Sequence, residues 1–560
     1  MNRREFLKNV GASGMVAVAP IALTSKASAA TDLVPVGKYF VFAHLGGGWE
    51  PTTFCNPQGN KLRSTVGQEL GMDNGQVRNA GSIVNKYPAS AIRRAIDVYA
   101  GSATVSADMK YAPYLGTFNR TGADGVNDDG NANDGLTTLH IQRILSGDIA
   151  GSLLTAASSA GFVWKTTKTA AQIEANARAI IEGTVQNVQL NGIETELVDR
   201  DLALNGTQMT ADLFVYDAFV CLHADQLRVL NGVDNRTNSH STGTQYADTG
   251  SMAMGYPDFS ALYAALQGAD RPLAWMTDGS GNDSTASLVA RSTASDASVF
   301  DILADPKRNT SGAPGGNPMT ANIQVFLDEA NNRRAALQKQ KERLPLRQQF
   351  QDQLYLVRDQ GSEFTAVAND INNPPPGPKL DLKVIAEDGN IGSGRRRHIR
   401  IGAAGFETGM ASSMQIGFGS FDTHGNHDQT HFNSIRAVLI DLHFLFRALE
   451  AHGVKDQTTI IVGSDFGRTP WYNDGDGKDH WAVTSYMLMG NGVAGGTSVN
   501  ATNGLIEALN VNSSMQPVTA GGVRMTASHI HRELRKFAGI DNNPITLQFP
   551  IEAEDMNILG

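Results

Sequence analysis

Short, nearly continuous apolar runs alternate with amphipathic stretches over much of the chain. The runs have the length of buried strands and end at glycine or polar residues: Lys38–Leu45, Leu227–Gly232, Ser413–Phe418, Thr458–Gly463 and Ser485–Met489. Between the later runs, the apolar residues of His431–Ala451 recur at helical spacing. Because alternating strands and helices typically build a parallel sheet, the pattern predicts an α/β fold with a doubly wound, mostly parallel sheet flanked by helices.

Two regions, residues 101–207 and 278–395, interrupt this alternation. The first contains a predicted helix at Ala170–Glu182. The second contains Ala321–Arg358, whose charged and long side chains predict one or two solvent-facing helices. We therefore predict a single elaborated domain over residues 30–560, with these two regions as large insertions.

The N-terminal residues predict export. Arg3 and Arg4 precede a weakly apolar stretch, Val10–Leu23, and the small residues Ala27–Ala29 follow it. The arginine pair matches the twin-arginine signal, so residues 1–29 are predicted to be a signal peptide and the mature protein to be periplasmic or secreted. The alternative is an N-terminal helix of the mature fold. No later window reaches the roughly 18 apolar residues that span a bilayer, so we expect no membrane span.

The composition narrows the classes of partner. The formal net charge of −10 argues against nucleic acid or an anionic membrane as the natural partner. A disulfide between Cys55 and Cys221 and two separately buried thiols are both open. The absence of haem, iron–sulfur and dinucleotide motifs weakens the interpretation as a redox enzyme.

The densest cluster of metal-binding residue types follows the run at Ser413–Phe418. Asp422 and His424 are two residues apart, so an extended backbone projects both side chains to one side. A carboxylate oxygen with an imidazole nitrogen suits zinc or a similar divalent ion, and His427 is a candidate third ligand. In a doubly wound sheet, ligands bind just beyond the carboxyl ends of strands. The alternative is a turn or capping role for Asp422.

Acidic and imidazole residues also lie next to other predicted strands. Asp465 follows Thr458–Gly463 and is expected beside Asp422 if the two strands are neighbours. His480 precedes another strand, and Glu50 follows the glycine loop after the first one. All three are candidate metal ligands, while a plain surface-loop role is the alternative for His480 and Glu50.

Two further residues are candidates for catalysis. Arg468 either holds a tetrahedral oxyanion bidentately or forms a structural ion pair, and both interpretations are open. Ser239 lies in the turn after Leu227–Gly232, and a hydroxyl at a strand-to-helix turn can serve as a nucleophile. Thr237 is the reserve candidate, and ordinary turn chemistry is the alternative for both hydroxyls.

Several of these segments, taken in order, resemble the exported bacterial domain-of-unknown-function family 1501, which is similar to a branch of the alkaline phosphatase and sulfatase superfamily. The segments are Gly47-Gly48-Trp49-Glu50, Asn238-Ser239-His240, Phe421-Asp422-Thr423-His424, Ser464-Asp465-Phe466-Gly467-Arg468-Thr469-Pro470 and Asp479-His480. The resemblance implies a central sheet flanked by helices, one or two divalent metals and a hydroxyl nucleophile. It implies two sets of ligands: Asp422, His480 and either His424 or His427 for one metal, and Glu50, Ser239 and Asp465 for the second.

The sequence departs from the better-known phosphatases at two positions. Glu50 stands where an aspartate is usual, and Phe466 stands where a second ligand histidine is usual. The expected function is a metal-dependent hydrolase of phosphate or sulfate esters, in small-molecule or polymer substrates, in which Ser239 attacks while Arg468 and the metal stabilise charge. The alternative is a phosphatase-fold binding or assembly protein without turnover, which Phe466 favours.

Overall fold

The structure is a computed structural model. It describes residues 35–51, 54–55, 178, 181, 219, 222–223, 226–269, 271–279, 288–289, 291–293, 321–342, 393–425, 427–470, 473, 477–499, 501–503 and 506–560. The predicted signal peptide and nearly all of the first predicted insertion lie outside these residues.

Strands of the described residues form one large sheet and two small ones. In chain order they are β1 (Tyr39–Leu45), β2 (Leu227–Asp234), β3 (Trp275–Thr277), β4 (Arg291–Thr293), β5 (Ser413–Phe418), β6 (Thr458–Ser464), β7 (Gly467–Arg468), β8 (His480–Trp481), β9 (Val483–Gly490), β10 (Thr497–Val499), β11 (Asn510–Val511), β12 (Pro517–Val518) and β13 (Val523–Arg524). The large sheet has the strand order β10-β2-β9-β6-β1-β5-β3-β4. Strand β9 is antiparallel to β2 and β6, and the other pairs are parallel. The predicted α/β class is confirmed, and the sheet is mixed.

Helices of the described residues cover both faces of this sheet. They are α1 (His240–Thr249), α2 (Phe259–Gln267), α3 (Ala321–Lys341), α4 (Ser393–Glu407), α5 (His427–Ala451) and α6 (Ala527–Phe537), with short 3-10 helices at Lys455–Gln457 and Thr546–Gln548. Helix α3 lies in the second predicted insertion, and its described side chains are exposed, as the charge pattern predicts. None of the helices in the described part of the chain combines the length and apolar character needed to cross a bilayer.

Strand β1 shows why the strand runs are continuously apolar. Alternate side chains of a strand point to opposite faces. Val41 and Leu45 contribute to the core that includes α4 and α5, whereas Phe40 and Phe42 contribute to the core that includes α2 and α6. All seven residues of β1 are buried. A central strand covered on both faces has no solvent side, and alternation is therefore lost.

The sheet brings several loops to one edge. The register pairs Leu45 at the end of β1 with Phe418 at the end of β5 and with Ser464 at the end of β6. Strand β2 ends at the same edge, where Asp234 pairs with Val483, the first residue of the antiparallel β9. The residues after β1, β2, β5 and β6 therefore meet those that precede β9.

Cys55 is buried, and this burial raises the pKa of its thiol well above the ordinary value. Cys221, with which Cys55 would form the disulfide, lies outside the described residues. Whether the two cysteines pair therefore stays open.

Candidate metal centre

Asp422 lies among three imidazoles at this edge of the sheet. Its Oδ1 is 3.1 Å from His424 Nε2 and 3.2 Å from His480 Nε2. Its Oδ2 is 3.5 Å from His240 Nε2. The Nε2 atoms of His424 and His480 are 3.0 Å apart. His240, Asp422 and His480 each offer one ligand atom within 4.8 Å of the others. Imidazole nitrogens with one carboxylate oxygen are a donor set that suits zinc and related divalent ions.

The second nitrogen of each imidazole is held by an oxygen atom. The pairs are His240 Nδ1 with Asp465 Oδ2 at 2.7 Å, His424 Nδ1 with Asp479 Oδ1 at 2.8 Å, and His480 Nδ1 with the Asn238 carbonyl at 2.7 Å. A carbonyl or carboxylate oxygen can only accept, so each Nδ1 carries the proton and donates it. A ring that is neutral therefore has its lone pair on Nε2, the atom that faces Asp422. Metal-ligating histidines are oriented in this way by their outer partners.

Asp465 supports the cluster from behind. Its side chain is 1% exposed, and both of its oxygens accept hydrogen bonds from protein groups. Gly47 N–H donates to both oxygens at 3.1 Å, Ser464 Oγ–H donates to Oδ1 at 3.0 Å, and His240 donates to Oδ2. The lone pairs of the Asp465 carboxylate are thus used by protein donors. Asp465, which the sequence predicted as a metal ligand, instead holds the ring of His240 in place.

Arg468 makes the contacts of a structural ion pair. Its side chain is fully buried. Its Nη2 donates to Asp422 Oδ1 at 2.5 Å and to the Gly47 carbonyl, and Nε donates to the Gly48 carbonyl at 3.1 Å. Burial raises the pKa of the Asp422 carboxyl, but the hydrogen bond and charge of Arg468 outweigh burial and lower it. Asp422 is therefore ionised at neutral pH, in the form that binds a cation.

Glu50 and His427, both predicted as ligands, lie in a neighbouring buried cluster. The Glu50 N–H donates to His431 Nε2 at 2.8 Å, and its carboxylate lies 3.5 Å from Lys478 Nζ. His427 stacks on His431 with 4.4 Å between ring centroids, and its Nδ1 lies 2.6 Å from Thr423 Oγ. Glu50 is 1% exposed and His427 is 2% exposed. The first turn of α5 directs His427 inward, and Lys478 supplies a charge partner for Glu50.

Ser239 is exposed and lies in the chain between two residues that contact the imidazole cluster. It is the N-terminal capping residue of α1, but its side chain makes no capping hydrogen bond. Its backbone N–H donates to Thr237 Oγ at 3.1 Å, while its Oγ lies 3.4 Å from Ser241 Oγ. The residues on either side, Asn238 and His240, both contact the imidazole cluster. The hydroxyl is therefore exposed and is not used in helix capping.

Phe466 packs against two imidazoles of the cluster. Its ring centroid is 4.3 Å from that of His480 and 4.7 Å from that of His240. Phe466 is fully buried. The aromatic ring stands where the resemblance places a ligand histidine, and here it limits the positions that the two rings can adopt.

Sequence reasoning did not assign a role to His240 or to Asp479 as a ring partner. Both had a local signal: His240 directly follows the candidate nucleophile in a strand-to-helix turn, and Asp479 directly precedes the candidate ligand His480. A polar loop, however, has no periodicity from which the direction of a side chain can be read.

The glycine loop after β1 packs closely against the backbone of Asp422. Gly47 has φ +115°, and a Cβ there would lie well inside contact distance of the Asp422 backbone nitrogen. We expect Gly47→Ala to destabilise the fold by about 2–5 kcal/mol, because backbone strain and overpacking add. Urea unfolding measures the effect. Gly279→Ala is the matched control, because Gly279 has φ +108° and nothing within 4 Å of its Cβ position. Equal losses in the two variants would contradict the close approach.

Comparison with known proteins gives one family. Residues 396–543 match the family model described as a protein of unknown function, DUF1501. Searches among curated proteins and among solved structures give no match. The matched segment contains Asp422, His424, Arg468 and His480, whereas His240 precedes it. The segment 396–543, about a quarter of the chain, is therefore similar to the DUF1501 family.

Proposed function

We propose that the protein is a metal-dependent hydrolase of phosphate or sulfate esters, with one divalent ion, zinc or a similar metal, held by His240, Asp422 and His480. His424 lies beside them as a further candidate ligand. The observation that carries the proposal is the direction of the imidazoles: each Nδ1 donates to an oxygen, and each Nε2 faces Asp422. This outer support is the arrangement that orients and strengthens imidazole ligands.

The residues of the chain have defined roles in this reaction. A bound divalent ion supplies Lewis-acid polarisation of the ester oxygens. The Ser239 oxygen forms a bond to phosphorus or sulfur as the bond to the alcohol oxygen breaks, and the serine proton ends on the departing alcohol. Water then releases the acid and restores the hydroxyl. Arg468 positions Asp422, since its guanidinium is buried and bound to main-chain carbonyls.

The fold supports placing the chain near the alkaline phosphatase and sulfatase superfamily. The sheet is largely parallel, helices cover both faces, and the cluster lies at the carboxyl ends of β1, β2, β5 and β6. Ligands of open α/β sheets bind at such edges. The segments that resemble the family supply Asp422, His424 and His480, and the structure brings these three side chains together.

The central test of turnover compares two hydroxyls. We expect Ser239→Ala to keep its metal and its fold while losing at least about a hundredfold in kcat, and Thr237→Ala to change kcat little. The assay uses metal-loaded protein with aryl phosphate, phosphodiester and sulfate substrates, together with metal analysis of each variant. Normal turnover by Ser239→Ala would leave water as the nucleophile and remove the covalent step.

A second candidate function is a phosphatase-fold binding or assembly protein without turnover. Phe466 in place of a ligand and the full burial of Arg468 favour it, since both reduce the groups that could act on a substrate. The same assay separates the two functions. Metal at about one equivalent with no turnover of any ester would favour the binding protein.

We propose export by the twin-arginine route for the same chain, which places the site in the periplasm. The support is Arg3-Arg4 before a weakly apolar stretch. We expect replacement of both arginines by lysine to leave precursor in the cytoplasm, as fractionation and immunoblotting would show. Mature protein in the periplasm would instead indicate the ordinary secretory route.

A further inference from the structure

The charged groups around the cluster have a net negative balance. Three carboxylates contact the imidazoles, those of Asp422, Asp465 and Asp479. One guanidinium, that of Arg468, contacts Asp422. With neutral imidazoles, these side chains sum to three negative charges and one positive charge.

The positive charge of Arg468 does not reach a substrate. Each of its three nitrogens donates to an oxygen of the protein, in four bonds to three main-chain carbonyls and Asp422. Lys478, the next residue in the loop with a cation, has a side chain that is 1% exposed and lies 3.5 Å from Glu50 Oε1. Residues 426, 471–472 and 474–476, which interrupt the described residues of these loops in the sequence, contain no Lys or Arg.

A divalent ion would bring the balance close to zero. Its two positive charges offset the net two negative charges of the side chains. The N-terminus of α1, which begins at His240 and has no acidic residue in its first turn, adds roughly half a positive charge. The centre of the site is then almost neutral, with a small positive excess on the side of Ser239.

We infer that the group transferred in this site carries one negative charge, as a sulfate monoester or a phosphodiester does, and not two, as a phosphate monoester does. The inference rests on the proposed function and narrows it. A second charge on the substrate is repelled by the carboxylates of Asp422 and Asp479, about half of whose side-chain surfaces are exposed at the site. Among the described residues, the one Lys or Arg side chain that contacts the cluster is that of Arg468, and its charge is already used. A site with a second metal or a free guanidinium would favour the doubly charged ester.

Turnover tests the inference with esters of one alcohol. Metal-loaded protein is given 4-nitrophenyl sulfate, methyl 4-nitrophenyl phosphate and 4-nitrophenyl phosphate, and kcat/KM is measured for each. We expect one of the two singly charged esters to exceed the doubly charged one by at least about tenfold. The first two substrates separate sulfate from phosphodiester chemistry. A preference for 4-nitrophenyl phosphate would overturn the inference while leaving the proposed hydrolase intact.

Ligand binding tests the same charge preference without turnover. Calorimetry compares the affinities of the protein for methyl phenylphosphonate, with one charge, and for phenylphosphonate, with two charges at about pH 8. We expect the singly charged ligand to bind more tightly, and Asp479→Asn to shift the ratio of the two affinities by about threefold or more towards the doubly charged ligand. Asp555→Asn changes the net charge equally, but Asp555 pairs with Arg532 and Lys536, so we expect no shift. If phenylphosphonate binds more tightly to the unaltered protein, the inference is wrong. If neither class of ester is turned over but the binding preference holds, the proposed hydrolase falls and the charge preference remains.

Discussion

Replacement of His240 by alanine is expected to lower metal affinity by at least about a hundredfold, because the variant loses one imidazole of the cluster and frees the Asp465 carboxylate behind it. The wild-type protein is expected to gain stability from the metal, about 4 kcal/mol when free metal is a thousand times the Kd. At the same free metal concentration, a hundredfold weaker affinity reduces that gain to about 1.4 kcal/mol or less in His240→Ala. Metal analysis after dialysis and thermal unfolding with and without chelator measure both effects.

A matched control is another histidine paired with a carboxylate. His452, the residue after α5, has its Nδ1 2.5 Å from Oε2 of Glu407, the last residue of α4. We expect His452→Ala to keep its metal and the difference in Tm that the chelator produces. Metal retained in His240→Ala but lost in Asp422→Ala would exclude His240 and leave Asp422, His424 and His480 as the ligand set.

The second large effect is expected from a buried ion pair between β1 and α1. His44 Nδ1 lies 2.8 Å from Asp248 Oδ1, and the side chains are 9% and 1% exposed. Burial lowers the pKa of His44, but the charge and hydrogen bond of Asp248, with smaller contributions from Asp465 and Asp258, raise it to about 9. The ordinary pKa in an unfolded chain is about 6.5. The folded state therefore binds this proton more tightly than the unfolded state.

The stabilisation is fully present below about pH 6.5 and is lost as the pH rises through about 9, because the folded-state pKa is the higher one. The difference between the folded-state and unfolded-state pKa values of His44 corresponds to about 3 kcal/mol of stabilisation. We expect Asp248→Asn to remove this contribution and to flatten the free energy of unfolding between pH 6.5 and 9. Urea unfolding across this range is the measurement.

The control for the pH dependence is a histidine that stays neutral. Burial, with the charges of Arg178 and Arg447, lowers the pKa of His443 to about 3. His443→Gln should therefore leave the slope between pH 6.5 and 9 unchanged. A slope that persists in Asp248→Asn would assign the titration to another group.

The strands were predictable because burial on both faces leaves a continuous apolar run, as in β1, where every residue is buried. The direction of β9 could not be predicted from its sequence. Its segment, Val483–Gly490, is buried like the parallel strands of the same sheet, and burial is the same whichever way a strand runs. The direction follows from β7 and β8, whose two-residue strands return the chain to the edge where β6 ends.

The site was predictable in part, for the same physical reason. The carboxyl edge rule placed Asp422 and His424 at this edge because it depends only on where strands end. His480 precedes a strand, so its place beside Asp422 was implied by the family resemblance and not by this rule. Glu50 and His427 also lie near that edge in sequence, but their side chains turn into the buried cluster with His431. The direction of these side chains depends on partners such as Lys478, which lies in another loop. Such partners cannot be recognised from the sequence around Glu50.

The central place of β1 has a consequence for how the protein is made. The strand lies between β5 and β6, and the Gly47 amide that holds Asp465 comes from a position 418 residues earlier in the chain. During synthesis, β1 emerges long before either neighbour, so closing this contact has a large entropic cost and depends on nearly the whole chain. The segment 396–543 that matches the family model, expressed alone, would lack the strand between β5 and β6 and expose two unpaired edges. The cluster of His240, Asp422 and His480 is therefore expected to form late, after the N-terminal and C-terminal parts of the chain have packed together.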